Sequence, residues 1–358
     1  MNIKSLLLGS AAAVVAGSAQ AADAIVVAEP EPMEYVRICD TYGTGFFYIP
    51  GTETCLKIGG YVRYEMRYRD RDGDPDYRFS KFARFSPTFD ARSSTEWGTL
   101  RSFGQVFFNW GSGNISGDGN STALEHAYIS LENGPHLFLV GKTDTPFHAA
   151  HLGGPNVGGI FETRGDNADN NDTNTGVVYY TFAPGNGLSL TLGAVENTGN
   201  TEFEPNVEAV VRYSQGWGLL VGAAGYDNEV DEWGAKVAGE LTFNPVTVGL
   251  QVQYGSDASS AYGARYVDGV FGSNLTSEWS VAGYARAKLV DTLGAKLQVQ
   301  WFDGVGGFDD AWQITGGLDW APVTGLNIIP EVRYTKADLL GGGDVEAWEG
   351  RLRFQRSF

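Results

Sequence analysis

From Lys57 to the C-terminus, apolar and polar residues alternate in runs of about ten, the period of strands with one apolar and one wet face. Lys57 to Arg69 sets Ile58, Val62, Tyr64, Met66 and Tyr68 against Lys57, Arg63, Glu65, Arg67 and Arg69. Residues 79–92 set Ala83, Phe85, Pro87 and Phe89 against Arg84, Ser86, Thr88, Asp90 and Arg92. Residues 97–110 oppose Arg101, Gln105 and Asn109 to Leu100, Val106, Phe108 and Trp110. The pattern predicts sixteen strands: these three, then 122–132 and 136–142, and eleven more between 176 and 358.

The connections alternate too. Those after even-numbered strands are short and rich in turn formers, such as NGP (133–135), PGNG (184–187) and NP (244–245). Those after odd-numbered strands are mostly longer and polar. This segregation by parity predicts an up-and-down antiparallel barrel with tight turns at one end and large loops at the other. Trp97, Trp110, Trp233, Phe243, Trp312 and Trp320 fall at strand ends on the apolar face, where interfacial girdles place aromatic rings. The longest connection, 143–175, has neither strand nor helix period. Its acids Asp144, Glu162, Asp166, Asp169 and Asp172 outnumber its one arginine, Arg164. A structureless stretch of this length points to function or disorder.

The first 21 residues read as an export signal, with Lys4, an apolar run from Leu6 to Ala16 and a small-x-small site at Ala19–Ala21. Residues 22–56 read as a periplasmic segment and 57–358 as the barrel. No later apolar run is long enough for a membrane helix. A mean hydropathy of −0.19 suits a barrel with a wet lumen, since only alternate residues face lipid. The 49 glycines, 13% aromatics and three methionines favour strands over helices. A net charge of −18 argues against nucleic acid as a partner. In an exported chain, Cys39 and Cys55 are expected to form a disulfide; a metal site would lack further ligands nearby.

The text from Ala22 to Arg63, with EYVRICDTYGTGFFYIPGTETCLKIGGYVR at its heart, resembles the trimeric general porins of alphaproteobacteria, of the rhizobial and brucella kind. The final strand, EAWEGRLRFQRSF, puts Trp348, Leu352, Phe354 and Phe358 on one face and ends on phenylalanine. Phe354 and Phe358 resemble the signal by which outer-membrane barrels are recognised for insertion. The resemblance implies an all-β, 16-stranded transmembrane barrel in the outer membrane. It also implies a homotrimer with the third external loop folded inward, passing small hydrophilic solutes and ions by diffusion.

Ten of the 25 Lys and Arg residues lie between Lys57 and Arg101. Charge on the lipid side near the midplane costs roughly 2–4 kcal/mol for Arg or Lys, so Arg63, Arg67, Arg84, Arg92 and Arg101 are expected in the lumen. There they would face Asp144, Glu162, Asp166 and Asp169 across a constriction, and rings of charge set ion preference. Arg69 and Arg71, beside the first long loop, are expected to serve loop salt bridges or lipopolysaccharide instead. The DNADNNDTN run (166–174) offers oxygen ligands for Ca²⁺ without the spacing of an EF-hand, and no other cofactor is suggested. The four histidines, His126, His136, His148 and His151, read as polar loop or turn residues, and no catalytic motif has its context. A sugar-selective porin, a plugged structural or adhesive barrel and an outer-membrane hydrolase are the competing readings.

Overall fold

The computed structural model describes residues 37–113, 119–150, 174–197, 204–266, 275–305 and 308–358. Sixteen strands form the wall. They are β1 (Cys55–Arg71), β2 (Arg78–Thr95), β3 (Gly98–Gly113), β4 (Ser121–Asn133), β5 (His136–Asp144), β6 (Asn174–Phe182), β7 (Leu188–Val195) and β8 (Asn206–Gln215). The wall continues through β9 (Gly218–Asp227), β10 (Glu232–Phe243), β11 (Val246–Gly255), β12 (Trp279–Val290), β13 (Leu293–Asp303), β14 (Phe308–Val323), β15 (Leu326–Leu339) and β16 (Asp344–Ser357). Each pairs antiparallel with its neighbours in sequence. β16 returns to β1, from Ala347 opposite Arg71 to Ser357 opposite Tyr61. Closure leaves no sheet edge, the condition for a sheet to cross lipid.

Alternation decides which side of the wall each residue takes. Val62, Phe85, Phe108, Ile129, Leu192, Val237 and Leu250 are exposed on the outer surface, while Glu65, Ser80, Ser86, Gln251, Gln300 and Arg333 are buried toward the interior. The six strand-end aromatics expected on the outside are all exposed there. Tight turns join β2 to β3, β4 to β5, β8 to β9, β10 to β11, β12 to β13 and β14 to β15. In two of these turns, Gly134 (φ 55°) and Gly325 (φ 79°) take the left-handed conformation that suits glycine. The long connections gather at the other end, which is therefore the external one.

Two details depart from simple alternation. In β4, Gln105 of β3 pairs with His126 while Val106 pairs with Leu124, so Glu125 is an extra residue. This bulge reverses the phase of the strand, leaving both Leu124 and Ile129 exposed to the outside despite their odd separation. At the start of the barrel, Cys55 and Leu56 already pair with Tyr48 and Phe47, so the first strand begins ahead of Lys57.

Cys39 and Cys55 are joined, with Cα atoms 6.0 Å apart, and both are buried with Phe46. Closing a loop of this length removes roughly 3 kcal/mol of unfolded-state entropy. The closed segment packs on inward-facing side chains: Lys57 Nζ lies 5.9 Å and Arg92 Cζ 5.2 Å from the Phe46 ring centroid. At the same end, the Phe358 N–H donates to Gly60 O (3.0 Å) and accepts the return bond from Gly60 N–H on its own carbonyl (3.1 Å). Its ring stacks on Phe85 outside the barrel (6.4 Å), and Phe354 stands opposite Tyr64.

Candidate functional site: the lumen wall and its inserted loops

Three of the five arginines expected in the lumen come together. Arg63 is directly opposite Arg84, and Arg67 lies four residues, two repeats of the pleat, further toward the outside. Glu65, fully buried between them, is held by Arg67 (2.7 Å), Arg353 (2.7 Å) and Arg63 (3.6 Å). Arg63 Nε also donates to Gln355 Oε1 (3.0 Å). Arg84 donates to Asn109 Oδ1 (2.8 Å) and lies over the Phe107 ring at 3.7 Å, with no carboxylate partner among the described residues. A second carboxylate, Glu349, binds Arg69 (2.9 Å) and Arg333. Arg351, between the two carboxylates in the strand register, interacts with both. Arginine therefore outnumbers carboxylate across β15, β16, β1 and β2, and the wall keeps a positive excess after its internal pairs are counted.

Arg92 and Arg101 belong to another level. They share Asp90, at 2.7 and 2.9 Å, beside the disulfide-closed segment. Eight residues separate Arg84 from Arg92 along β2, roughly 26 Å of strand. The five arginines thus form two groups rather than one ring. Alternation assigns a side of the wall but says nothing about height, which needs the register. Arg69 also corrects its expectation. It points inward and is buried on Glu349, because its parity matches Arg67. Arg71 does take a loop salt bridge, to Asp74 (2.9 Å).

The long connection after β5 turns inward at once. Thr145 caps a single helical turn, α1 (Pro146–Ala149), by accepting the His148 N–H on its hydroxyl (3.1 Å). Phe147 is fully buried against Val210, Leu219, Val221, Ala223 and Ala238. These are inward residues of β8 to β10, halfway around the barrel from β1. Burying such a ring contributes about 1.5–3 kcal/mol. The connection after β11 inserts as well: Tyr262 meets Phe147 edge-on at 4.9 Å. Asp227 Oδ2 accepts the Ala261 N–H (2.7 Å), and Gln253 Nε2 donates to Tyr262 O (3.2 Å). The turn before them is set by Asp257, whose carboxylate sits below its usual range because the Ser259 hydroxyl and N–H both donate to it. Gly225 and Gly234 leave room for the tyrosine, since a Cβ at either would collide with it.

Glu208 ties both insertions to the wall. Its carboxylate accepts the Phe147 N–H (2.7 Å), the Tyr262 hydroxyl (3.2 Å) and the Thr145 hydroxyl. Lys236, 4.4 Å from the Phe147 ring centroid, faces it from β10.

The acids expected opposite the arginines are only partly in view. Asp144 ends β5 opposite Asn174, half-buried, and no ion pair joins it to any of the five arginines among the described residues. Glu162, Asp166 and Asp169 lie outside the described residues, as does all of the proposed calcium run except Asn174. One histidine differs from expectation. His126 is a mid-strand residue inside the barrel, its Nδ1 3.0 Å from Thr143 Oγ1 and 3.1 Å from Asn174 Nδ2, at the two roots of the long loop. His136 opens β5 and contacts Tyr180 Oη (2.6 Å), His148 is buried in α1, and His151 is outside the described residues. Sequence reading overlooked Glu208, Tyr262 and the arginines of β15 and β16. One clue was available: β9, GLLVGAAGYD, is apolar on both faces, the mark of a strand covered on both sides.

Residues 23–348 match the family described as the porin subfamily. The chain is 38% identical to porin Omp2b of Brucella neotomae and 37% identical to porin Omp2b of Brucella abortus, each aligned over the whole of both chains. Among solved structures, it is similar to the outer membrane channel DcaP of Acinetobacter baumannii (TM-score 0.65, 17% identity, 87% of this chain and 99% of that one). It is also similar to an anion-selective porin from Comamonas acidovorans (TM-score 0.60, 14% identity, 86% of this chain and 100% of that one).

Proposed function

The chain belongs to the porin subfamily, and from that premise we propose how its lumen acts on what passes through it. The protein is an outer-membrane porin, a water-filled channel for passive diffusion of small hydrophilic solutes and ions. The selecting element is the positive wall around Arg63, Arg67 and Arg84, joined by Arg351 and Arg353. It faces the wall of β8 to β10, against which α1, at the start of the third external loop, packs. The observation that carries this reading is the excess of guanidinium over carboxylate on one side of the lumen. A polar solute exchanges water for ordered charges on this path, whereas an apolar one loses hydration without replacement. Asp144, Glu162, Asp166 and Asp169 supply the opposing acidic side, Arg92 and Arg101 form a separate basic level toward the periplasm, and three barrels assemble together.

Swelling of proteoliposomes tests the reading. Small sugars and amino acids enter at rates that fall smoothly with solute size and do not saturate. Saturation by one sugar at low concentration would instead favour a substrate-selective channel.

A further inference from the structure

The lumen wall carries rings that a purely electrostatic filter does not need. Inward positions of a wet barrel are polar as a rule, yet β1 to β4 turn several aromatic side chains to the inside. Each of the five arginines expected there lies over a ring. Arg63 is 4.9 Å from the Tyr61 ring centroid, Arg67 4.6 Å from that of Phe82 and Arg84 3.7 Å from that of Phe107. Arg92 is 5.2 Å from Phe46, and Arg101 is 4.9 Å from Phe103 and 5.4 Å from Tyr128.

The register orders these pairs. Consecutive inward positions of β3 are Arg101, Phe103, Gln105, Phe107 and Asn109, and the strand has no carboxylate. On β2, Arg92 stands opposite Arg101, Asp90 opposite Phe103, Thr88 opposite Gln105 and Arg84 opposite Asn109. Phe107 and Phe103 are four residues apart, about 13 Å of strand. Each has a guanidinium over it, so two ring-backed cationic stations follow one another from the outer level to the periplasmic one. Gln105, which donates to Ser86 Oγ (2.7 Å), fills the step between them with neutral polar groups.

Both stations are open to a solute. Arg84, Phe103, Phe107 and Tyr128 are half-buried, and the Arg92 and Arg101 side chains keep 26% and 28% of their surface exposed. Neither station is neutralised: Arg84 has no carboxylate partner among the described residues, and Arg92 and Arg101 divide one carboxylate, Asp90. A guanidinium edge takes a carboxylate through paired hydrogen bonds. Flat guanidinium and phenyl faces take a planar ring, which gains from its π-system what a saturated ring of the same size does not. Charge alone would favour every small anion alike, whereas rings at each step favour one that is flat and aromatic.

We propose that the lumen face of β2 and β3, with Tyr128, is a track for small aromatic carboxylates, which pass from Arg84 and Phe107 to Arg101 and Phe103. This preference rests on the open channel described above and adds a class of solute to it. Single wild-type channels in planar bilayers test it, with potassium benzoate on one side and the same concentration of potassium cyclohexanecarboxylate on the other. The two anions have the same charge and nearly the same size, so a channel that selects by charge and size alone reverses at zero. The wild type instead reverses at a potential that gives benzoate about threefold higher permeability. In the F103L/F107L double variant, which keeps every arginine and most of the apolar bulk, that ratio falls toward unity. Circular dichroism and heat resistance on gels show that the variant barrel is folded. A wild type that conducts KCl but reverses at zero between the two carboxylates would overturn the track, whatever the variant does. So would a preference left intact in F103L/F107L, which would place it elsewhere in the lumen. Folded wild type that passes no current in KCl would overturn the channel reading itself, and the track with it.

Discussion

Replacing Arg63 and Arg84 together by Glu moves the reversal potential toward that of the cation when single channels separate KCl solutions of tenfold different concentration. A fully selective channel would reach roughly 59 mV for a univalent ion, and a shift on the order of 10–20 mV is expected. The effect is large because these two residues are direct cross-strand neighbours. Arg84 has no carboxylate partner among the described residues, so its charge is not cancelled locally. Arg63 is 3.6 Å from Glu65, which keeps its closer partners Arg67 and Arg353 after the change. Reversing Arg92, which shares Asp90 with Arg101 at another level, shifts the potential less. If the double variant reverses at the wild-type potential, this wall does not set ion preference.

Glu208→Ala is the second change with a large expected effect. It leaves the buried Phe147 N–H and Tyr262 hydroxyl without their acceptor, at roughly 1–3 kcal/mol for each donor. Lys236 loses its facing carboxylate at the same time. Thermal unfolding is expected at lower temperature. Open-channel current noise rises and voltage closure begins at lower potential, because both inserted connections are released from the wall. Glu208→Gln, which keeps an acceptor oxygen, should fall between. Wild-type noise in the alanine variant would mean that the apolar contacts of Phe147 hold the loop without the carboxylate.

The barrel was legible because lipid imposes a strict rule. Outward residues within the acyl region must be apolar, so period-two alternation survives along β1, β2, β3, β11, β12 and β14, and strand count follows from it. The β4 bulge was not legible, since Glu125 shifts the phase inside a short run in which either phase looks plausible. The lumen was legible only by side. Parity placed Arg63, Arg67 and Arg84 inward, but not at the same height as one another or apart from Arg92 and Arg101. Arg69 was misjudged because nearness to a loop in sequence outweighed its parity. Arg351 and Arg353 were missed because their neighbours in space, Arg67 and Glu65, are nearly the whole chain away in sequence, and Arg333 because its partner Glu349 meets it only through the β15–β16 register. Glu208 and Tyr262 meet only when two connections enter the barrel, and only the doubly apolar β9 hinted that something covers its inner face.

The central claim is that the wall encloses an open aqueous path that stays conducting with α1 and Tyr262 inserted. Recording single channels of the wild-type protein in planar bilayers, in symmetric KCl and then in a gradient, tests it most directly. The account predicts ohmic steps grouped in threes, long-lived at low voltage, with a reversal potential well short of full selectivity. Reconstituted, folded protein that passes no current, or that opens only after Tyr262 is removed, would contradict it.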